Sequence, residues 1–176
     1  MPKIGLYFGS STGNTEAAAD QIKAHFDEVE EDMVEIHNVA SGIDGMADYQ
    51  YLILGCPTWD IGELQEDWTG VWEDFEEINF EGKTVAMFGM GDARGYPSSF
   101  VDAIGMMGEV VQATGGKIVG TWHPNNFEFD DSRALIEEGN PASGFWGLPL
   151  DEENQADWHE VRIEAWATVL KKEFEF

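Results

Sequence analysis

The stretch Phe8-Gly9-Ser10-Ser11-Thr12-Gly13-Asn14-Thr15-Glu16 gathers the densest polar chemistry in the chain. Ser10, Ser11, Thr12 and Thr15 offer hydroxyls, and Asn14 offers an amide. Gly9 and Gly13 let backbone come close to a ligand. An apolar run, Ile4 to Phe8, precedes the stretch and reads as a buried strand. Ala18, Ile22, Phe26 and Val29 follow at helical spacing. A strand-to-helix turn exposes free N–H groups at the positive end of a helix, which suits a phosphate.

Other chemistries fit the turn less well. A nucleotide P-loop needs Lys after its second glycine, and no cation lies here, which argues against phosphoryl transfer. Gly9-Ser10-Ser11-Thr12-Gly13 matches the G-x-S-x-G elbow of hydrolases. That elbow would sit on the first strand, and neither His123 nor His159 brings an Asp-His-Ser pattern. A plain helix cap from Asn14 or Thr15 is the blandest alternative.

Two further loops carry one large aromatic each: Trp59 in Cys56–Gly62 and Tyr96 in Gly89–Pro97. A lone loop aromatic usually covers core. Two flanking one phosphate site point to a flat ring held between them, with offset stacking adding about 1 kcal/mol beyond burial. A planar ring bearing phosphate is a nucleotide or a flavin.

The elements that position these loops alternate. Strands are expected at Lys3–Phe8, Met33–His37, Tyr51–Gly55, Thr84–Phe88 and Ile118–Trp122. Helices are expected over 14–29, 68–75, 98–114 and 156–172, the last with Trp158, Val161, Ala165, Trp166, Val169 and Leu170 on its apolar face. His37 reads as solvated or capping. Residues 123–143 are rich in Asn, Asp, Glu, Pro and Gly, and Phe145–Leu148 resembles strand again. The simplest account is a fifth strand interrupted by a roughly 20-residue insertion. Such alternation predicts an α/β fold: a doubly wound, five-stranded parallel sheet, order 2-1-3-4-5, with helices on both faces and residues 1–176 as one domain. Ligands bind such sheets beyond the C-terminal strand ends at the switch point, where all three loops lie.

Composition narrows the function. Asp and Glu number 35 against 9 Lys and Arg, a net charge of −26. Such a surface disfavours nucleic acid and anionic membrane and favours a basic protein partner. It also fits adaptation to a salty cytoplasm. No apolar run is long enough for a membrane span, and no signal peptide precedes the first strand, so a cytoplasmic location is expected. One cysteine, Cys56, permits neither an internal disulfide nor a cysteine-ligated cluster, and no C-x-x-C accompanies the scattered histidines.

Taken in order, the three loops resemble the cofactor loops of flavodoxins, and the likeness extends to Asp131-Ser132, Gly147-Leu148-Pro149-Leu150-Asp151 and Trp166. The interrupted fifth strand resembles the long-chain subgroup. The resemblance implies one non-covalent FMN and no enzyme activity. Its phosphate would sit on Ser10, Ser11, Thr12, Gly13, Asn14 and Thr15. Trp59 and Tyr96 would stack on opposite ring faces, Tyr96 outermost, within Pro57-Thr58-Trp59-Asp60-Ile61-Gly62 and its counterpart. Backbone around Gly91 and Asp92 would hold the pyrimidine edge, with Phe100 and Asp102 nearby. The ribityl chain would lie near Thr58, within reach of an acidic residue in 151–153. Asp60, where many long-chain members have Asn, and Arg94 depart from the pattern.

The resemblance further implies a low-potential one-electron carrier working between semiquinone and hydroquinone, with the Asp60–Ile61 peptide turning its carbonyl towards flavin N5–H. It would be a monomer standing in for ferredoxin. Its partners would present basic surfaces: ferredoxin–NADP reductase, and photosystem I, nitrogenase reductase or another low-potential acceptor. An FMN-dependent NAD(P)H:quinone reductase shares the fold, but no nicotinamide motif is present. A receiver-type signalling module needs an acidic residue where this chain has Gly55-Cys56-Pro57.

Overall fold

The computed structural model describes residues 3–176. Its central sheet runs β2-β1-β3-β6-β7, with β8 also on β6, and every pairing is parallel. The strands are β1 (Ile4–Phe8), β2 (Val34–Asn38), β3 (Tyr51–Gly55), β6 (Thr84–Met90), β7 (Lys117–Val119) and β8 (Leu148–Leu150). A small antiparallel hairpin, β4 (Thr58–Trp59) with β5 (Glu63–Leu64), lies apart from that sheet. The helices are α1 (Asn14–Asp27), α2 (Glu66–Glu76), α3 (Asp102–Ala113), the short α4 (Glu152–Gln155) and α5 (His159–Glu173).

Strand alternation sends side chains to two separate cores. Ile4, Leu6 and Phe8 of β1, Ile53 of β3 and Phe88 of β6 face Ile22 and Phe26 of α1 and Trp166 and Leu170 of α5. Tyr7, Leu52, Leu54, Val85 and Met87 face the other way, onto Trp68 and Phe75 of α2 and Ile104 and Met107 of α3. A sheet covered on both faces is why these strands read as continuous apolar runs.

The fifth strand is in two pieces. Lys117–Val119 pairs with Thr84–Ala86 and Leu148–Leu150 with Phe88–Met90, so both extend along one edge of β6. The chain resumes at Leu148 and not at Phe145. Phe145 instead bridges Trp122 and Leu135 antiparallel within the excursion. Despite its polar composition, the excursion has an apolar anchor: Phe127 and Phe145 are buried with Phe100 on the α3 side.

Three other expectations need correction. Val29 lies beyond the end of α1 and is exposed. On α5 the buried set is Arg162, Ile163, Trp166, Ala167 and Leu170, while Val161, Ala165 and Val169 are exposed and Trp158 precedes the helix. Arg162 takes a core position because its guanidinium lies 4.3 Å over the Phe127 ring and 5.4 Å from that of Trp158. His37 is only partly solvated: its ring stacks on Tyr7 at 4.5 Å, and Nε2 lies 3.0 Å from the Tyr49 hydroxyl.

Candidate functional site

β1 and β3 end level in the sheet, and β6 continues past them to Met90. Phe8 pairs with Gly55, and Gly55 with Phe88. The Gly9 N–H continues the ladder to the Gly55 carbonyl at 3.1 Å, and the Cys56 N–H to the Phe88 carbonyl at 3.2 Å. The three loops therefore leave side by side. They enclose a cleft of about 280 Å³, near the lower limit for small-ligand sites.

The first loop is held from below. Gln65 caps α2, its side-chain oxygen accepting from the N–H groups of Asp67 and Trp68, and its amide donates to Ser11 Oγ at 3.1 Å. A side-chain carbon on Gly9 would stand 2.2 Å from Gln65 Oε1, so only glycine fits. Ser10 Oγ accepts from the Gly13 N–H at 2.9 Å, which closes the turn. Gly13, left-handed at φ 88°, is the residue before α1 and supplies no capping side chain. Neither Asn14 nor Thr15 caps the helix, since both already lie inside it. The N–H groups of the first turn of α1 have no intrahelical acceptors and point outward. Ser11 and Thr12 are exposed beside them, Thr12 and Asn14 line the cleft, and Thr15 is buried.

The second loop is the β4–β5 hairpin, whose two-residue strands leave no sequence periodicity to read. Asp60 (φ 45°) and Gly62 (φ 76°) make its turn, the first a strained conformation for a non-glycine residue. Pro57, Thr58, Trp59 and Asp60 line the cleft. Ile61 projects from the tip at 81% exposure and lies outside the cleft lining, as does Gly62. Thr58 Oγ1 accepts from the Ala103 N–H at 2.9 Å, tying the hairpin to α3. Burial pushes the Cys56 thiol up to about 12, so it is no nucleophile.

The third loop is braced through Asp92 and Asp151. Asp92 Oδ1 accepts from the Gly95 N–H and from Asn154 Nδ2, each at 2.8 Å. The Gly95 N–H foremost, aided by Asn154, holds the Asp92 carboxyl below its usual range. Asp151, buried at the head of α4, accepts from the Ala93 N–H at 3.2 Å and caps α4 at Asn154. Gly91, Asp92, Tyr96 and Phe100 line the cleft, and so do Met90, Ser99, Val101, Glu152 and Glu153. Val101 holds φ 49°, an outlier for a β-branched residue. Arg94 turns its charge to Glu128 at 3.7 Å.

Asp102 is the one expected residue near the ring edge that stands behind the wall. Its Oδ1 accepts from the Arg133 N–H at 2.8 Å, and burial raises its carboxyl. Trp59 and Tyr96 lie on the same cleft as partly exposed walls, at 39% and 45% exposure. Sequence reasoning missed Gln65, Ser99, Val101 and the two N–H anchors of Asp151. A glutamine before an amphipathic run, Gln65-Glu66-Asp67-Trp68, was the available signal for the first.

The hydrolase arrangement is not formed. His159 has a carboxylate at Nδ1, Glu152 at 3.1 Å, but among the described residues its Nε2 meets no hydroxyl. No described helix is long and apolar enough to cross a membrane.

Comparison with known proteins places this geometry. The flavodoxin family model matches residues 6–166. A flavodoxin of Nostoc sp. is 47% identical over 173 residues, covering 98% of this chain and 97% of that protein. Flavodoxin 2 of Escherichia coli is 42% identical, covering 97% of this chain and 95% of that one. Among solved structures, Fusobacterium nucleatum flavodoxin bound to flavin mononucleotide superimposes with a TM-score of 0.88 at 32% identity, covering 98% of this chain and 99% of that one. The chain belongs to the flavodoxin family.

Proposed function

We infer that this chain is a low-potential one-electron carrier that holds FMN non-covalently in the cleft, an electron-transfer protein and not an enzyme. The observation that carries this is one cleft joining an uncapped, hydroxyl-lined helix N-terminus to two aromatic walls. The residues fit the group. The first turn of α1 offers N–H donors and the positive helix end to a phosphate, and no Lys or Arg is there to transfer it. Trp59 and Tyr96 stand where a flat ring would enter. Of the residues assigned above, Ser10 and Gly13 shape the turn, Ser11, Thr12, Asn14 and Thr15 would hold the phosphate, and Pro57, Thr58, Trp59 and Asp60 with Gly91, Asp92, Tyr96 and Phe100 would hold the ring, while Ile61 and Gly62 complete the hairpin turn beside it. Asp102 acts from behind.

FMN supplies the ability to accept one electron at a time. The protein decides how readily. The strained Asp60–Ile61 peptide sits at the hairpin tip, where a change of orientation would turn its carbonyl towards a bound ring. Burial between two aromatics inside a chain of charge −26 disfavours further negative charge there.

Its partners present basic surfaces: a ferredoxin–NADP reductase as donor, and photosystem I, nitrogenase reductase or another low-potential enzyme as acceptor. Asp60, Glu63 and Glu66 form an exposed acidic rim beside Trp59. Opposite fields there speed encounter. We take residues 1–176 as one domain, monomeric and cytoplasmic. The quinone reductase reading is not favoured, because the similar proteins are flavodoxins.

Stepwise reduction of the protein under argon, followed by visible absorption, tests the assignment. Flavin absorption passing through an accumulating one-electron stage is expected. A colourless protein that refuses added FMN overturns it, and direct passage to the two-electron state favours the reductase.

A further inference from the structure

The groove between the starts of α1 and α5 holds a titratable side chain that the cofactor assignment leaves unused. His159, the first residue of α5, has only 12% of its side chain exposed, and its Nδ1 lies 3.1 Å from Glu152 Oε2. Its Nε2 is buried without a hydrogen-bond partner among the described residues. With Nδ1–H donated to the carboxylate, a neutral ring leaves Nε2 as a bare acceptor, whereas a protonated ring makes the pair electrically neutral and turns Nε2 into a donor that must draw its acceptor from the groove, where Asn14 and Gln21 carry amide oxygens. The groove is not remote from the cofactor cleft: Asn14 and Glu152 line both.

We propose that His159 is a positioning residue for the anionic end of the cofactor, its imidazolium cancelling the Glu152 charge at the wall the groove shares with the cleft. The proposal rests on the FMN assignment above. The first loop has no cation of its own, and Glu152 and Glu153 both line the cleft that must accept a phosphate. A carboxylate there opposes binding unless something offsets it. The charged groups facing His159 are Glu152 of α4, Asp157 of the turn before α5, and Glu160 of α5 itself, while α1 contributes the neutral Asn14 and Gln21.

The sign follows from linkage. A negative cofactor and a protonated His159 favour each other, so each strengthens the other's binding by the same factor. Deprotonation of the ring removes the imidazolium, uncovers Glu152 and weakens the hold on FMN. The phosphate monoester itself loses a proton at about pH 6, so the effect must be read against a variant that cannot charge.

The test uses apo-protein, FMN and His159→Gln, with Kd from flavin fluorescence between about pH 5 and about pH 8, and NMR titration of the His159 ring in apo and FMN-bound wild type. The wild-type advantage in affinity should grow roughly three- to tenfold from the high to the low end. The ring should titrate at higher pH in the bound form. That second readout needs no variant, so it stands even where His159→Gln folds poorly. Coincident ring titrations with and without FMN, in a protein that takes up the cofactor, overturn this inference alone. Failure to take up FMN at any pH overturns the cofactor assignment and this inference with it.

Discussion

The carboxylate of Asp102 lies directly under Gly62: a side-chain carbon on that glycine would stand 2.6 Å from Asp102 Oδ2. The hairpin of the second loop thus rests on the first residue of α3, which also anchors the insertion through the Arg133 N–H. Burial raises the Asp102 carboxyl from its ordinary 3.8. An acid raised in the folded state binds its proton more tightly there than in the unfolded chain. Its contribution to stability is therefore greatest below the unfolded value and declines as pH rises through the folded one. Asp102→Asn keeps the acceptor for Arg133 and removes the buried charge. The variant should match or exceed wild type at pH 7 by on the order of 1 kcal/mol, with the difference gone below about pH 3. Urea midpoints of the apo-protein at both pH values check this. A clear loss at pH 7 means the charge itself is needed.

Asp92 should behave with the opposite sign. The Gly95 N–H, with help from Asn154, holds its carboxyl below the usual range. Such a group stabilises the fold above the unfolded value and loses that effect as pH falls through the folded one. Asp92→Ala should therefore be less stable than wild type at neutral pH, and the two should converge in acid. The same urea series reads it, and a gap that widens on acidification contradicts the assignment.

Gly9 and Gly13 are both in the first loop, yet alanine should cost very different amounts. At Gly9 the new carbon meets Gln65 Oε1 at 2.2 Å and Trp68 Cδ1 at 2.7 Å. Neither can give easily, because Gln65 caps α2 and the Trp68 indole N–H donates to the Gly55 carbonyl at 2.8 Å. Around Gly13 nothing lies within 4 Å, and only its φ of 88° resists substitution. Gly9→Ala should cost about 2–3 kcal/mol and Gly13→Ala about 1 kcal/mol. In a chain of this size that separates the melting points by roughly 3–8 °C. Equal melting points would show that the Gln65–Trp68 support can move.

Asp151 joins the resumed strand to the third loop across the sequence. Replacing it with Ala leaves the buried Ala93 N–H without an acceptor and removes the cap of α4. A loss of about 2–3 kcal/mol is expected. Hydrogen exchange should show faster exchange at Ala93 than in wild type, while amides in β1 and β3 respond only through global stability. Unchanged exchange at Ala93 would remove Asp151 from its bracing role.

What the sequence made legible was set by length and period. Strands of continuous apolar residues and helices with a repeating face were readable because burial on both sheet faces demands those patterns, and the three loops followed from where strands end. Two-residue strands such as Thr58–Trp59 and Glu63–Leu64 have too few residues to show a period. The core face of α5 was misread at Val161 and Val169 because Arg162 occupies a buried position, its charge satisfied over Phe127 and by Gln155 at 2.6 Å. A buried guanidinium reads as surface until its ring partners are known. The family resemblance puts Asp102 near the ring edge, while its carboxylate accepts from the Arg133 N–H of the insertion, and no local pattern reveals that direction. The His159–Glu152 pair was invisible for the same reason: it depends on where α4 leaves the chain relative to α5.

Trp59 and Tyr96 provide the last and most direct prediction. Both rings line one cleft, and both are between a third and a half exposed. Removing either ring costs stacking of about 1 kcal/mol in addition to lost apolar area, so Trp59→Ala and Tyr96→Ala should each weaken FMN by tenfold or more. The electrical consequence is separate. With one wall gone, water reaches the cofactor, and added negative charge is solvated where before it faced rings and a field of −26. The potential for the second electron should therefore rise in both variants, while Tyr96→Phe, which keeps the ring, should leave it nearly unchanged. Potentiometric titration of FMN-loaded protein separates the two effects, since saturating FMN removes the binding defect and leaves the potential. Unchanged potentials in both alanine variants would mean that the rings hold the cofactor without setting its redox behaviour, and the control would then lie with the Asp60–Ile61 peptide and the acidic field.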